Sequence, residues 1–383
     1  MLKAIIKLLI LLIPCPFLKA QEIVFPDPYF KNALLSHHPV IDLDSNKSIS
    51  EAEAVNVISL NINASGIADL TGIEKFSSLT SLICSNNLIV NLPISTNKQL
   101  KFLNCSNNRI LTLDVSSSTN LEELYCGGNQ LTSLDVSQNT ELSILWCGNN
   151  SLSSLDIAKN IKLTYLSCSY NNLTLLNTIN NSQLEGIRCS WNRLNALDIS
   201  KNVKLKELYC RSNLINLINT SSNIELSILN CFNNNITTLD LSQNKFLMEL
   251  NCTRNILSKI DLYNNVQLVS LDCESNQILV LDIHNNNQLK RVYVKNNPVS
   301  YICLDSTQES LINNNSFKWE KGTNTSWEVC NEYITNGYGS QDFIPNTLLR
   351  IYTTMGVEVS EKNITNGVYI YIYSDGSRKK ILK

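Results

Sequence analysis

Ten of the thirteen cysteines in this 383-residue chain stand 21 residues apart: Cys84, Cys105, Cys126, Cys147, Cys168, Cys189, Cys210, Cys231, Cys252 and Cys273. Thiols in such number could ligate metal, form disulfides or act as nucleophiles. Structural zinc needs paired ligands two to four residues apart, and each of these cysteines is alone in its interval. Residues repeated at a fixed step present parallel side chains, which is poor geometry for a disulfide between neighbours. The three histidines, His37, His38 and His284, lie in no nucleophile or metal motif. The chain also lacks G-x-S-x-G, H-E-x-x-H and a phosphate-cradling glycine loop. Asp114, Asp135, Asp156, Asp198, Asp240, Asp261 and Asp282 recur at one offset, as architecture does and an acid/base pair does not. Packing as small buried hydrophobes is the expected role of the ladder cysteines, and no enzyme activity is expected.

The elements that position these residues follow from the same period. Five residues before each cysteine stands a leucine, Leu79 to Leu268, and three after it an asparagine, Asn87 to Asn276; Leu289, Val294 and Asn297 continue the columns. The unit L-x-x-[LIV]-x-C-x-x-N-x-[LI]-x-x-[LI] resembles the leucine-rich repeat, with cysteine where leucine is usual. That resemblance implies an α/β-type repeat solenoid over residues 79–304, with a parallel concave β-sheet of about eleven strands and short irregular return loops. Alternation sends Leu124 and Cys126 inward and Glu123, Tyr125 and Gly127 outward. The asparagine amides are expected to bond buried backbone from turn to turn. The L-D-[VIL] triplets belong to the return path, and the Ser-x-Asn-Thr-type residues after them to tight turns closed by local bonds.

Both ends of a solenoid need caps. Residues 21–78 are expected to form the first, with a short helix after Asp27-Pro28 and an atypical first repeat spaced 22 residues from the next. Between them, Asp42 to Glu53 resembles an EF-hand or dockerin calcium loop. The resemblance implies Ca2+ held by Asp42, Asp44, Asn46, the Ser48 carbonyl and Glu53, although Lys47 replaces the usual glycine. Without metal, Ser50 to Glu53 reads as a capping box. Residues 305–330 form the second cap. Cys303 and Cys330 lie off the 21-residue register and flank it, as one disulfide or as two free thiols.

Residues 1–20 carry lysines, an apolar run and a small-residue end, the pattern of a signal peptide; Pro14 makes Cys15 a poor lipobox cysteine. No other stretch is apolar over a membrane-spanning length. Residues 331–342 read as a linker, and residues 343–383 as a small C-terminal β module. Ile351 to Val359, Asn366 to Ile370 and Arg378 to Lys383 resemble the sorting domain of type IX secretion, without its Y-P-N-P strand. That resemblance implies the type IX machinery as a partner and a protein secreted or attached to the bacterial cell surface. A net charge of -2 and a pI near 6.0 argue against nucleic acid.

Function then rests on residues free of core duty. Tyr125, Trp146, Tyr165, Tyr170, Arg188, Trp191 and Tyr209 are expected on the concave face, with Phe102, Arg211, Phe232 and Arg254 nearby. Aromatic residues and arginine dominate interface hot spots, so the expected function is binding of a protein or peptide. The alternatives are a structural or matrix spacer and carbohydrate binding by the same rings.

Overall fold

The computed structural model describes residues 21–313, 318–330, 348–353, 358–359, 368–373 and 378–382. The chain divides into two compact units, Met1–Trp327 and Glu328–Lys383. Residues 1–20 and the linker 331–342 lie outside the described residues. In the first unit each turn of 21 residues spends three on a strand. Among the described residues thirteen such strands form one parallel sheet, from Ser59–Asn61 through Glu123–Tyr125 to Arg291–Tyr293 and Lys318–Glu320. The sequence led us to expect about eleven. One addition is the atypical first turn, where Ser59 pairs with Ser81 at an offset of 22. The other, Lys318–Glu320, comes from the segment read as a cap, and it covers a strand edge that would otherwise expose unpaired backbone.

The strands are short because the middle residue alone points inward. In Glu123–Tyr125 only Leu124 is fully buried. Cys126, Leu131 and Val136 complete the core of that turn, each with no exposure, and the same columns are buried in the turns on either side. The cysteine column is free and buried throughout. Burial pushes the thiols of Cys105, Cys147, Cys189 and Cys231 up to about 12 and those of the other six well above their ordinary value. A neutral thiol can stay buried where a thiolate could not.

The asparagine column forms the expected ladder. Asn171 donates through Nδ2 to the carbonyls of Cys147 (3.1 Å) and Cys168 (3.0 Å), and its Oδ1 accepts the Leu152 N–H at 2.9 Å. Cys168 O also accepts from Asn192, so every carbonyl ties two rungs together. A second ladder corrects the reading of the return loops as local turns. Asn97, Asn139, Asn160, Asn181, Asn202, Asn223, Asn244 and Asn265 are wholly buried, and Asn160 donates to Val136 O (3.0 Å) and Asn139 O (2.8 Å) of the turn before. Gln308, in the helix Ser306–Asn313, ends the series by donating to Ile283 O and Asn286 O. The local turn bonds belong to the aspartates instead: Asp114 accepts the Ser116 N–H and Asp135 that of Ser137. No helix forms on the return path because the buried amide replaces helical bonds with bonds between turns.

At the first cap, helix Pro28–Leu35 begins on Asp27, as the sequence requires. One Asp27 oxygen caps Tyr29 N, and the other accepts Ala68 N (2.7 Å) and Asp69 N (3.0 Å), which ties the helix to the first turn. Burial raises its pKa, but these backbone donors outweigh it and hold the carboxyl below its ordinary value. In the second unit, the strands Glu358–Val359, Leu348–Thr353, Val368–Tyr373 and Arg378–Leu382 pair in that order as an antiparallel sheet. No helix among the described residues is long and apolar enough to cross a membrane.

Candidate functional site

Inward positions are fixed by packing, so chemistry that varies from turn to turn collects on the outward face of the sheet. Two positions of each strand and the two residues after the cysteine point there. The sequence-predicted residues come together in separate groups. Phe102, Tyr125 and Trp146 occupy successive strands, with ring centroids 5.5 and 5.4 Å apart. Tyr125 Oη donates to Glu123 at 2.9 Å; burial first, then this bond, push the phenol up to about 12, so it remains a donor. Tyr165 lies across the neighbouring strand because Gly186 leaves room: a Cβ there would come within 2.6 Å of the ring. Arg188 sits over the Tyr209 ring at 4.9 Å and pairs with Glu207 at 3.4 Å. Tyr170 and Trp191 stack with planes 13° apart and centroids 5.6 Å apart. That stack continues through Arg211 to Phe232 and Arg254.

Sequence reasoning missed the backbone beneath that stack. The second residue after each ladder cysteine has a left-handed φ, and most turns place Asn, Gly or Ser there, as in Asn107 (φ 54°), Gly128 (φ 68°) and Asn233 (φ 55°). Tyr170 (φ 57°), Trp191 (φ 55°) and Arg254 (φ 54°) occupy the same column. Large side chains cost about 1–2 kcal/mol in this conformation, whereas glycine and asparagine tolerate it. Tyr170 and Trp191 are 51% and 42% exposed, so burial does not offset that cost. The signal was present as an Asn/Gly/Ser column interrupted at three turns, two of them adjacent. Toward the C-terminal end the face also holds a depression of about 200 Å³ that runs from Tyr209, the last residue of the expected patch, along Asn230, Glu249, Asp272, Arg291 and Tyr293.

At the first cap, oxygens of Asp42, Asp44 and Glu53 lie within 4.8 Å of one another. Asp42 accepts Asn46 N (3.1 Å) and Lys47 N (2.9 Å), Asn46 Oδ1 accepts Ser48 N, and Glu53 accepts Leu43 N and Ser50 N, both at 2.8 Å. Lys47 adopts φ 65°, the conformation that glycine supplies in such loops. The capping box from Ser50 to Glu53 is formed as well. Burial raises Glu53, but its Ser50 and Leu43 donors prevail and keep its carboxyl ionised below the ordinary range. Each oxygen of Asp42 and Asp44 accepts one bond and retains a lone pair, which suits an oxygen-seeking cation, whereas Glu53 Oε2 already accepts both the Ser50 N–H and the Ser50 hydroxyl and would have to release one of them.

Two of the three histidines, His37 and His284, are occupied. His37 bonds Pro39 O through Nδ1 and accepts Asn61 N–H at Nε2. His284 contacts Asp282 and lies near Cys303, but Cys303 and Cys330 are disulfide-bonded, so Cys303 offers no thiolate.

Two overlapping stretches, residues 98–139 and 119–160, match the family model described as Leucine Rich repeats (2 copies). The fold is that of a leucine-rich repeat solenoid. Internalin J of Listeria monocytogenes is 38% identical over 73 residues, which are 19% of this chain and 8% of that protein. Among solved structures, the functional domain of InlJ from L. monocytogenes, described as including a cysteine ladder, superposes with a TM-score of 0.70 at 25% identity, covering 95% of this chain and 99% of that one. An internalin of L. monocytogenes (inlF) reaches a TM-score of 0.63 at 21% identity, with 78% of this chain and 96% of that chain covered, and shares the fold. The leucine-rich repeats here are thus similar to those of Listeria internalins, including a periodic cysteine column.

Proposed function

We propose that the outward sheet face binds a protein or peptide partner, centred on Tyr125, Trp146, Tyr165, Tyr170, Arg188, Trp191 and Tyr209. The observation that carries this reading is the placement of Tyr170 and Trp191 in left-handed backbone, half exposed and stacked. Strain that the fold does not need, beneath exposed aromatic rings, is a mark of a functional surface. Asparagine suits the same backbone, so replacing both residues by Asn should leave the melting temperature within a few degrees. Affinity for a partner captured from the cell surface should fall about thirtyfold or more, the loss of one hot spot. Changing Lys159 and Lys201 to alanine on the return loops is the control. Unchanged capture by the asparagine pair would leave the spacer reading in its place, and capture of glycans alone would favour carbohydrate.

Export, through residues 1–20, and type IX sorting, through residues 343–383, rest on the sequence patterns. The mass of the surface form tests both, since it should lack residues 1–20 if the signal is cleaved and residues 343–383 if the tail is removed.

Calcium at Asp42, Asp44, Asn46, the Ser48 carbonyl and Glu53 would order the first cap, supported by the clustered oxygens and the left-handed Lys47. A ligand that binds only the folded state raises its melting temperature, by about 2.7 kcal/mol of stability at a hundredfold excess over Kd. Neither heat nor a thermal shift at millimolar calcium would leave the capping box as the loop's whole role.

A further inference from the structure

Within that proposed surface, we propose that Arg211 and Arg254 form a clamp for the carboxylates of an acidic segment on the partner protein. The inference rests on the binding reading above and adds the chemistry of the partner. Arg211 lies over the rings of Trp191 and Phe232, and Arg254 over Phe232, each 5.6 Å from the centroid. Rings therefore cover the guanidinium faces and leave the in-plane N–H groups as the remaining donors. Among the described residues neither arginine has an ion pair or a side-chain hydrogen bond, and Nε of Arg211 is buried without a partner. Several other cations along the sheet are paired, Arg188 with Glu207, Lys206 with Glu185 and Lys295 with Glu320, whereas Arg291 further along is not and has no ring over it among the described residues. Two stacked, unneutralised guanidiniums present forks that match carboxylates in shape and charge.

Spacing and charge narrow the occupant. The two Cζ atoms are each 5.6 Å from the Phe232 centroid and so at most about 11 Å apart. In an extended segment, residues two or three positions apart span about 7–10 Å, so two acidic side chains can reach both forks. Beyond Arg254 stand the carboxylates of Asp272 and Glu274, then Arg291 and the paired Lys295 and Glu320, so the basic groups do not continue as the unbroken track that a long polyanion such as a sulfated glycan requires. On the other side stand Tyr170 and Trp191. A short acidic stretch flanked by apolar residues fits between them.

The test uses the full chain and a fluorescein-labelled octapeptide alternating glutamate with leucine and tryptophan, against the same peptide with glutamine for glutamate. The wild type should prefer the glutamate peptide by about tenfold or more, as hydrogen bonds between charged groups do. Arg211→Gln with Arg254→Gln should remove that preference, and Arg→Lys at both sites should restore only part, because lysine keeps charge without the fork. If the glutamine pair does not fold, Arg254→Gln alone, at an exposed residue, carries the comparison. A wild type indifferent to glutamate, or a preference that survives in the glutamine variants, overturns the clamp. A heparin-derived hexasaccharide that displaces the peptide at lower concentration than unlabelled peptide overturns the acidic-protein assignment. Loss of partner capture by the Tyr170/Trp191 asparagine pair together with no glutamate preference would remove the clamp and keep the binding surface.

Discussion

Asn171→Ala is expected to destabilise the repeat unit by about 3 kcal/mol or more, although the residue touches no ligand and carries no charge. Its amide makes bonds to Cys147 O, Cys168 O and Leu152 N, all shielded from water. Both carbonyls keep a second partner, from Asn150 and Asn192, so each loses about 1 kcal/mol. The Leu152 N–H has no substitute, and an orphaned buried donor costs about 1–3 kcal/mol. Because stability in a solenoid is a sum over neighbouring interfaces, the loss concentrates between the turns bearing Cys147 and Cys168. Urea unfolding measures the total, and thiol labelling should locate the opening at those two cysteines. The same change at Asn297, a partly exposed rung near the end, should cost less. A loss below about 1 kcal/mol at Asn171 would mean that the ladder is not what holds the turns in register.

The second large effect is thiol protection. In the native protein at pH 8, a maleimide should leave all ten ladder cysteines unmodified over minutes, and denaturant should release them together. Thiolate is the reacting species. Raising a thiol from 9.0 to about 12 leaves about a thousandfold less thiolate at pH 8. Complete burial adds the cost of local opening before any reagent arrives. Cys303 and Cys330, being disulfide-bonded, should add thiols only after reductant. Rapid native labelling of several ladder cysteines would show that the inward register is wrong.

The strict 21-residue step determined the repeat, the inward Leu and Cys columns and the first asparagine ladder, and the Asp27-Pro28 pair determined the helix start. Each of these is a local pattern with one physical solution: alternation along a strand, or a cap on unpaired N–H groups. The same step marked Asn139, Asn160 and Asn181, yet their neighbours looked like turn residues. Only stacking, which brings the preceding turn's carbonyls within 3 Å, decided that they are buried rungs. The outward aromatics were legible as a list of side chains without core duty. Their grouping was not, because contact across the sheet depends on rotamers and on small neighbours such as Gly186. The Arg211, Phe232 and Arg254 stack joins the ends of adjacent turns, and its residues come from two columns of the repeat. Periodicity therefore fixed where the binding side chains could be, while tertiary packing decided which of them meet, which rings lie over strained backbone and which cations are left without an acid.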